Sequence, residues 1–547
     1  MNALLDAMLD LVGGLPSLWM LQWAVAGVLL GLAAIAMPLA WARAWRVLAA
    51  APSPTRAAFA SALVAAAVAR WALAPKWIAT VFIGYRATDE AIRLFPVPHY
   101  GIGTPALYHL LFAPFGADHR TLIWSNAVIG VLTLPLVAAF AARYLRSHAA
   151  AAVVALLVAL TPMFVRNDTS DANNVPLLLW LFGGLVLWEA ALDTGDRLAL
   201  AAAGALFALA AICRPELPLF LLVLVPATAW ALEPTWRPSR SPVAWAVALA
   251  FALLVLPQLI NTLYSIRRLR AASSLPGWSV GHLGALFDLR RDALANPRIF
   301  PLALTLLAAA GVRWPGPAGA RRARTLVALA AVYFALTLGD LDWANLARVQ
   351  VPIALFACML ASLGALALVE RARRREQAVA MIAFVAGASA VPTALQLWRP
   401  TNEQAEEEFL REALAALPAG PLVFVRPGSE DMGVYFTHPY FPDYLLGPQR
   451  RPSSVTRWLS PSRDEGPAYF YLGMRCYAEF RQGDAPRPHG EHVNAACARL
   501  RDDYRLAPVL ERTVPNRGDV WLPYYGDAPE LKLGLYRVLP RDAARAP

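Results

Sequence analysis

The sequence predicts a polytopic α-helical membrane protein with about twelve transmembrane helices, followed by a small C-terminal α/β domain outside the membrane. Three observations predict it. The 547 residues are 58% hydrophobic and only 16% charged, against about a quarter charged in soluble domains. Long apolar stretches recur from about residue 15 to 398 and then stop, leaving a polar, mixed tail. The basic residues gather in short loops between alternate apolar stretches, as they do on the cytoplasmic side of membrane proteins. The division is therefore residues 1–398 as a membrane bundle and 399–547 as one further domain.

The candidate spans, in order, are 16–41, 57–83, 121–143, 149–165, 175–192, 198–213, 217–232, 243–264, 299–312, 325–339, 350–369 and 378–397. Each is close to the roughly 20 apolar residues that cross a bilayer, and the shorter ones suit a bundle with protein neighbours. With the N-terminus outside, the inner loops carry Arg43, Arg46 and Arg56, then Arg143 and Arg146, Arg197, Arg237 and Arg240, Arg313 to Arg324, and the run ERARRREQ at 370–377. The N-terminal MNALLDAMLDLVGG has acids and no Lys or Arg, so it lacks the basic region of a cleaved signal and is at ease outside. The expected location is the cell's inner or plasma membrane, with the N-terminus and the C-terminal domain both extracytoplasmic. The net charge of +11 is accounted for by these loops. No basic surface interleaved with aromatics is present, so nucleic acid is not an expected partner.

The C-terminal domain opens on TNEQAEEEFLREALAALPAG, where Thr401 or Asn402 can cap a helix whose first turns are acidic and whose stop is Gly420. Residues 421–425, 468–472, 506–514 and 531–539 read as strands, with a helix near 490–502. No nucleotide-, phosphate- or zinc-binding motif stands in it, and a structural cap or acceptor-binding lid is the expected role. Cys476 and Cys497 lie in this extracytoplasmic region, where a disulfide can form. Cys213 and Cys358 fall in or near helices and are expected to pack as small apolar residues.

Each predicted outer loop carries acids, arginines or both. The first has Asp89 and Glu90, then His99, Tyr100, Tyr108 and His109; the second, at 165–176, has Arg166, Asp168 and Asp171; the third is Arg214-Pro215-Glu216. The fourth, 265–298, has Arg267, Arg268, Arg270 and His282, and the fifth has Asp340, Asp342 and Arg348. Ionisable groups near membrane depth either pair or line a wet cavity. Local pairing has candidates here, since Asp89 and Arg93 are four apart on a helix and Arg214 and Glu216 are near neighbours. Five such loops on one side point instead to a shared polar cavity. A carboxylate there can act as general base toward a hydroxyl, and arginine forks suit phosphate. Outside the cell no nucleoside triphosphate is at hand, so an activated donor must arrive on a lipid, and a polyprenyl-phosphate sugar fits.

These residues also carry a resemblance. TDEA (88–91), GTPALYHLLFAPFG (103–116), TPMFVRNDTSDANNVPLLLWLF (161–182), RPE (214–216) and LARVQVPIALFACMLASLGA (346–365) resemble, in order and topology, segments of the GT-C superfamily of integral-membrane glycosyltransferases. The similarity is to the branch holding protein O-mannosyltransferases and the lipid A aminoarabinose transferase. The resemblance implies a GT-C-like bundle and an inverting transfer of a sugar, hexosyl or pentosyl, from a polyprenyl-phosphate donor to an extracytoplasmic glycan, lipid or protein. It implies Asp89 as the catalytic carboxylate, with Glu90 orienting it, assisting a metal or substituting for it. Asp168 or Asp171 would be a second acidic site. Arg166, Arg214, Glu216 and Arg348 would face the donor's phosphate or sugar. Val349 and Gln350 depart from the Arg-Tyr pair usual there, and the helix at 16–41 is an addition to the usual first one.

No cofactor is expected. A divalent metal is allowed, with His99, His109 and His282 as candidate ligands, although their spacing matches no compact ligand motif. Two other functions are compatible with the composition. A transporter or flippase of a lipid-linked or anionic substrate would place charges at mid-membrane depth and broken helices in two related halves. A non-catalytic envelope scaffold would tolerate loss of Asp89.

Overall fold

In a computed structural model the chain is mainly helical. The structure describes residues 2–73, 84–95, 97–98, 100–170, 174–233, 242–272, 294, 300–337, 350–374, 402–417, 422–426, 450–454, 468–472, 481–482, 485–486, 504–516 and 529–539, with scattered helical positions at 376–391 and 502. Two compact units form. One comprises Met1–Pro75, Glu90–Arg267 and Gly277–Trp398; the other comprises Lys76–Asp89, Arg268–Pro276 and Arg399–Pro547.

The first unit is a helical bundle. Its helices are α1 (Asn2–Leu11), α2 (Leu15–Ala49), α3 (Ser53–Leu73), α4 (Gly84–Arg93, whose first residues belong to the other unit), α5 (Gly103–Phe115), α6 (His119–Tyr144), α7 (His148–Leu160), α8 (Pro162–Asp168), α9 (Asn174–Thr194), α10 (Arg197–Ala211), α11 (Leu217–Leu232), α12 (Pro242–Ala272, whose last residues belong to the other unit), α13 (Leu302–Arg313), α14 (Gly319–Thr337) and α15 (Val351–Arg371). Helices stand at each expected span up to residue 371; the last, 378–397, lies largely outside the described residues. Among the described residues, five helices are long and apolar enough to cross a membrane, or six if α7 and α8 count as one bent span.

The packing follows from side-chain size. On α2 the buried positions are Leu18, Gln22, Ala26, Leu29, Ala33, Ala36, Met37, Ala40, Ala44 and Leu48, a stripe at three- and four-residue spacing made largely of alanine. Small residues let backbones approach where lipid offers no hydrophobic drive. The opposite face, with Val28, Ile35 and Trp45, is exposed to the surroundings. Helices α9 and α15 are buried nearly all round and form the centre of the bundle. Cys358 is buried there, and Cys213 at the end of α10, both as free thiols, as expected.

Two expectations are corrected. The span at 149–165 is not one helix, because Thr161–Pro162 breaks it and α8 leaves α7 at 59°. Proline has no N–H to continue the α7 ladder. The stretch from Arg166 to Asp168, expected in a loop at 165–176, is consequently a buried helical turn. The TDEA of the first predicted outer loop lies within the short helix α4, the helical placement that the Asp89–Arg93 spacing of four presupposes.

In the second unit, α16 (Asn402–Ala415) precedes a sheet of β1 (Leu422–Arg426), β2 (Arg450–Ser454), β3 (Ala468–Leu472), β6 (Arg505–Pro515) and β7 (Glu530–Leu539), in the order β2-β1-β3-β7-β6. The short β4 (Arg481–Gln482) and β5 (Ala485–Pro486) pair separately. Strand β1 runs parallel to β2 and β3, while β7 is antiparallel to both β3 and β6. Along β7, Leu531, Leu533 and Leu535 are buried and Glu530 and Lys532 exposed, the two-residue alternation of a one-sided sheet. Pro508 sits on the edge strand β6, at an irregularity in its pairing, where a missing donor is tolerated. The expected strands at 421–425, 468–472, 506–514 and 531–539 are present within a residue, and β2, β4 and β5 are additional. Cys476, Cys497 and the expected helix at 490–502 lie outside the described residues, apart from Asp502.

Candidate functional site

The site grows from α4. Its last turn is held on two sides. Trp23 of α2 donates its indole N–H to the Leu94 carbonyl at 2.6 Å, and Nδ1–H of His109 on α5 donates to the Ala91 carbonyl at 2.9 Å. The His109 ring stands edge-on to Trp23, with centroids 5.8 Å apart. Leu94 takes a positive φ of 65° and ends the helix. Tyr100 folds back and donates its hydroxyl to the half-buried Glu90 carboxylate. Asp89 lies in α4, but its side chain is outside the described residues.

The chain after α4 is seated on another loop. Asn261 of α12 donates to the carbonyls of Val97 and Pro98 at 3.4 and 3.2 Å, and Trp19 donates to the Asn261 side chain at 3.2 Å. The Gly103 N–H then donates to the Ile212 carbonyl at 2.9 Å. Gly101, at φ 133°, lies so close to that same carbonyl that a Cβ would overlap it. This contact brings the first polar segment against the turn carrying Arg214 and Glu216. There the Arg214 Nε donates to Glu216 Oε1 at 2.6 Å, and the Tyr333 hydroxyl of α14 donates to the same oxygen at 3.1 Å. Only about a tenth of each charged side chain is exposed.

The third segment joins through buried polar groups. Tyr108 of α5 donates to Asn126 of α6 at 2.8 Å, and Asn126 donates to the Ser170 carbonyl at 2.7 Å, just past α8. Asp168 is buried and bridged by Arg70 of α3 at 2.6 Å.

Three of the five predicted loops are therefore assembled at one end of the bundle, carrying Glu90, Arg166, Asp168, Arg214 and Glu216. Asp171, Arg348, His99 and His282 lie outside the described residues, as do the segments around 273–293 and 338–349. Arg267 pairs with Asp6 at 2.5 Å. Among the described residues no three His, Cys, Asp or Glu side chains gather as metal ligands. His109 is engaged with the Ala91 carbonyl and the Trp23 indole.

Sequence reasoning missed Arg70, Asn126 and Tyr333. Arg70 carried a usable signal, as an arginine inside a predicted span that must find a buried partner. Asn126 and Tyr333 carried none, because polar side chains in spans are ordinary and their partners are far along the chain.

Comparison with known proteins agrees with this architecture. Residues 99–260 match the family described as dolichyl-phosphate-mannose-protein mannosyltransferase. No curated protein sequence matches the chain. Among solved structures, ArnT from Cupriavidus metallidurans bound to undecaprenyl phosphate superposes with a TM-score of 0.53 at 12% identity, covering 89% of this chain and 98% of that one. The Archaeoglobus fulgidus oligosaccharyltransferase tethered to an acceptor peptide superposes with a TM-score of 0.50 at 12% identity, covering 84% and 79%. The chain is an integral membrane protein with the fold of the GT-C glycosyltransferases, and it carries the mannosyltransferase family's sequence pattern across residues 99–260.

Proposed function

We propose that the protein is an inverting membrane glycosyltransferase that moves a sugar from a polyprenyl-phosphate donor to an extracytoplasmic acceptor. The observation that carries this reading is the seating of the Gly101–Gly103 segment on the Ile212 carbonyl, which joins the acid-bearing α4 segment to the Arg214–Glu216 turn. An acidic group and a guanidinium fixed at one end of a greasy bundle suit a reaction whose donor is a lipid phosphate and whose acceptor comes from water. The solved neighbours include an undecaprenyl phosphate complex and a dolichol-phosphate complex, which is consistent with such a donor.

In this scheme Asp89 accepts the proton of an acceptor hydroxyl or amide as that atom attacks the anomeric carbon. The bond from that carbon to the phosphate oxygen breaks, and the polyprenyl phosphate leaves with the electron pair. Arginines, with Arg166, Arg214 and Arg348 as the candidates, stabilise the charge developing on the phosphate. Glu90, held by Tyr100, orients the site beside the base. A transporter would use broken helices in two related halves; among the described residues one broken span is present, α7–α8.

Membranes holding wild type, Asp89→Asn or Glu90→Gln, matched for folded protein, are given a radiolabelled polyprenyl-phosphate sugar. Loss of a general base lowers transfer by about 10²–10⁴-fold in Asp89→Asn, with a smaller fall in Glu90→Gln. Full transfer by Asp89→Asn removes Asp89 as the base.

A further inference from the structure

The break between α7 and α8 leaves a specific vacancy in the hydrogen-bond ladder. Pro162 has no N–H to give the Val158 carbonyl, and α8 starts a new ladder on the Thr161 carbonyl. Arg70 fills that vacancy from α3. It donates Nη2 to the Val158 carbonyl at 3.3 Å and Nη1 to the Ala159 carbonyl at 3.0 Å. The same guanidinium holds Asp168, at the far end of α8, through Nε at 2.8 Å and Nη2 at 2.6 Å. One side chain thus grips both ends of the bent segment, and it is only 1% exposed.

Both oxygens of the Asp168 carboxylate are engaged. Oδ2 takes both Arg70 bonds, and Oδ1 accepts from Asn167 at 3.4 Å. Gly130 of α6 lies against it so closely that a Cβ there would overlap the carboxyl group. Beyond α8, the Ser170 hydroxyl bonds back to the Asn167 carbonyl at 2.7 Å, and the Ser170 carbonyl is tied through Asn126 to Tyr108.

We infer that Arg70 and Asp168 form one positioning unit that fixes the 162–170 segment, and with it Arg166, against the first polar segment. Asp168 is therefore a positioning residue and not a second acid at the reacting atoms. The part of this inference that concerns turnover rests on the glycosyltransferase reading; the fixing of the segment does not.

The test uses full-length protein in nanodiscs, with folded amounts matched by size exclusion. Two readouts are taken: kcat and KM for transfer from a polyprenyl-phosphate sugar, and the rate of maleimide labelling at position 170 in a Ser170→Cys background, followed by mass spectrometry of that peptide. Arg70→Met lowers kcat per folded molecule by about a hundredfold, since small misplacement of a site group costs that much. KM for the donor changes less than kcat. Arg70→Lys, which keeps the charge beside Asp168 but not the fork that reaches both ends of the segment, restores only part of the loss and serves as the reporter if Arg70→Met does not fold. Arg70→Met/Asp168→Asn is no worse than Arg70→Met, because contacting partners in one unit are not additive. Labelling at 170 rises by about tenfold or more in Arg70→Met as the segment opens locally. Unchanged labelling in Arg70→Met overturns the inference. So does an Asp168→Asn loss as deep as that of Arg70→Met with labelling unchanged, which would put Asp168 at the chemistry. If wild type transfers no sugar while labelling still responds to Arg70→Met, the positioning unit stands and the glycosyltransferase reading falls.

Discussion

Tyr333 and Arg214 meet on the same carboxylate oxygen of Glu216, at 3.1 and 2.6 Å. The arrangement is asymmetric in cost. Tyr333→Phe removes a neutral donor and keeps the ring against Phe220, whose centroid lies 4.9 Å away; it costs about 0.5–1.5 kcal/mol. Glu216→Ala takes the carboxylate from a guanidinium that is largely buried, at about 3–5 kcal/mol. Thermal unfolding of the two variants in one lipid should show the second far less stable. The reverse order would mean that Glu216 is not the main partner of Arg214.

Gly101 makes a sharper test of the site. Its φ of 133° disfavours any L side chain, and an added Cβ meets the Ile212 carbonyl. Gly101→Ala should cost about 1–3 kcal/mol as local strain. It should also unseat the loop, so sugar transfer falls further than the fraction of folded protein does. Circular dichroism and transfer measured on the same sample separate the two. Transfer that falls only in step with folding would show that the seat is structural alone.

The helices were legible because membrane insertion demands long apolar runs, so α2, α6, α9, α12 and α15 announce themselves by composition. The sheet was legible in β6 and β7 because alternation such as Leu531, Leu533, Leu535 shows which face is buried. Helix α4 was legible only as the i,i+4 spacing of Asp89 and Arg93, since its end is fixed by the distant Trp23 and His109. The α7–α8 break was visible as Pro162 but not its consequence, which depends on Arg70 standing eighty-eight residues before Val158 along the chain. The site residues were chosen by charge. Their grouping depends on long-range partners such as Asn126, Asn261 and Tyr333, which no local pattern encodes.

Helices α13 and α15 cross at two glycines. A Cβ on Gly311 would overlap the Leu360 carbonyl, and one on Gly364 would overlap the Leu307 carbonyl, so the backbones themselves are in contact. Small residues at such crossings permit the close approach that holds membrane helices together. Gly364→Ala should cost about 1–3 kcal/mol through forced separation. Gly31→Ala on α2, where nothing lies within 4 Å, should leave stability unchanged or slightly raised. Equal melting temperatures for the two variants would contradict the crossing.

At the opposite end of the bundle Arg322 caps two helices at once. It donates to the Tyr144 and Arg143 carbonyls at 2.6 and 3.1 Å and to the Ala231 carbonyl at 3.2 Å, so the C-termini of α6 and α11 share one guanidinium. Tyr144 returns its hydroxyl to the Arg322 carbonyl at 3.2 Å. Lysine has the charge but not the planar fork that reaches separate acceptors. Arg322→Lys should therefore lose about 1–2 kcal/mol, and Arg322→Met about 2–4 kcal/mol as carbonyls lose a charged donor. The acceptors are helix-end carbonyls and the side chain is only 5% exposed, so the loss should be nearly the same at low and high salt. Asp193, which Arg43 reaches at 3.3 Å and Arg143 also bridges, is more open to water and offers the contrast. Asp193→Asn should cost under about 1 kcal/mol at low salt and nothing measurable at high salt. Melting curves at two ionic strengths decide it: a salt-dependent loss in Arg322→Lys would mean that Arg322 acts as a surface charge and not as a cap.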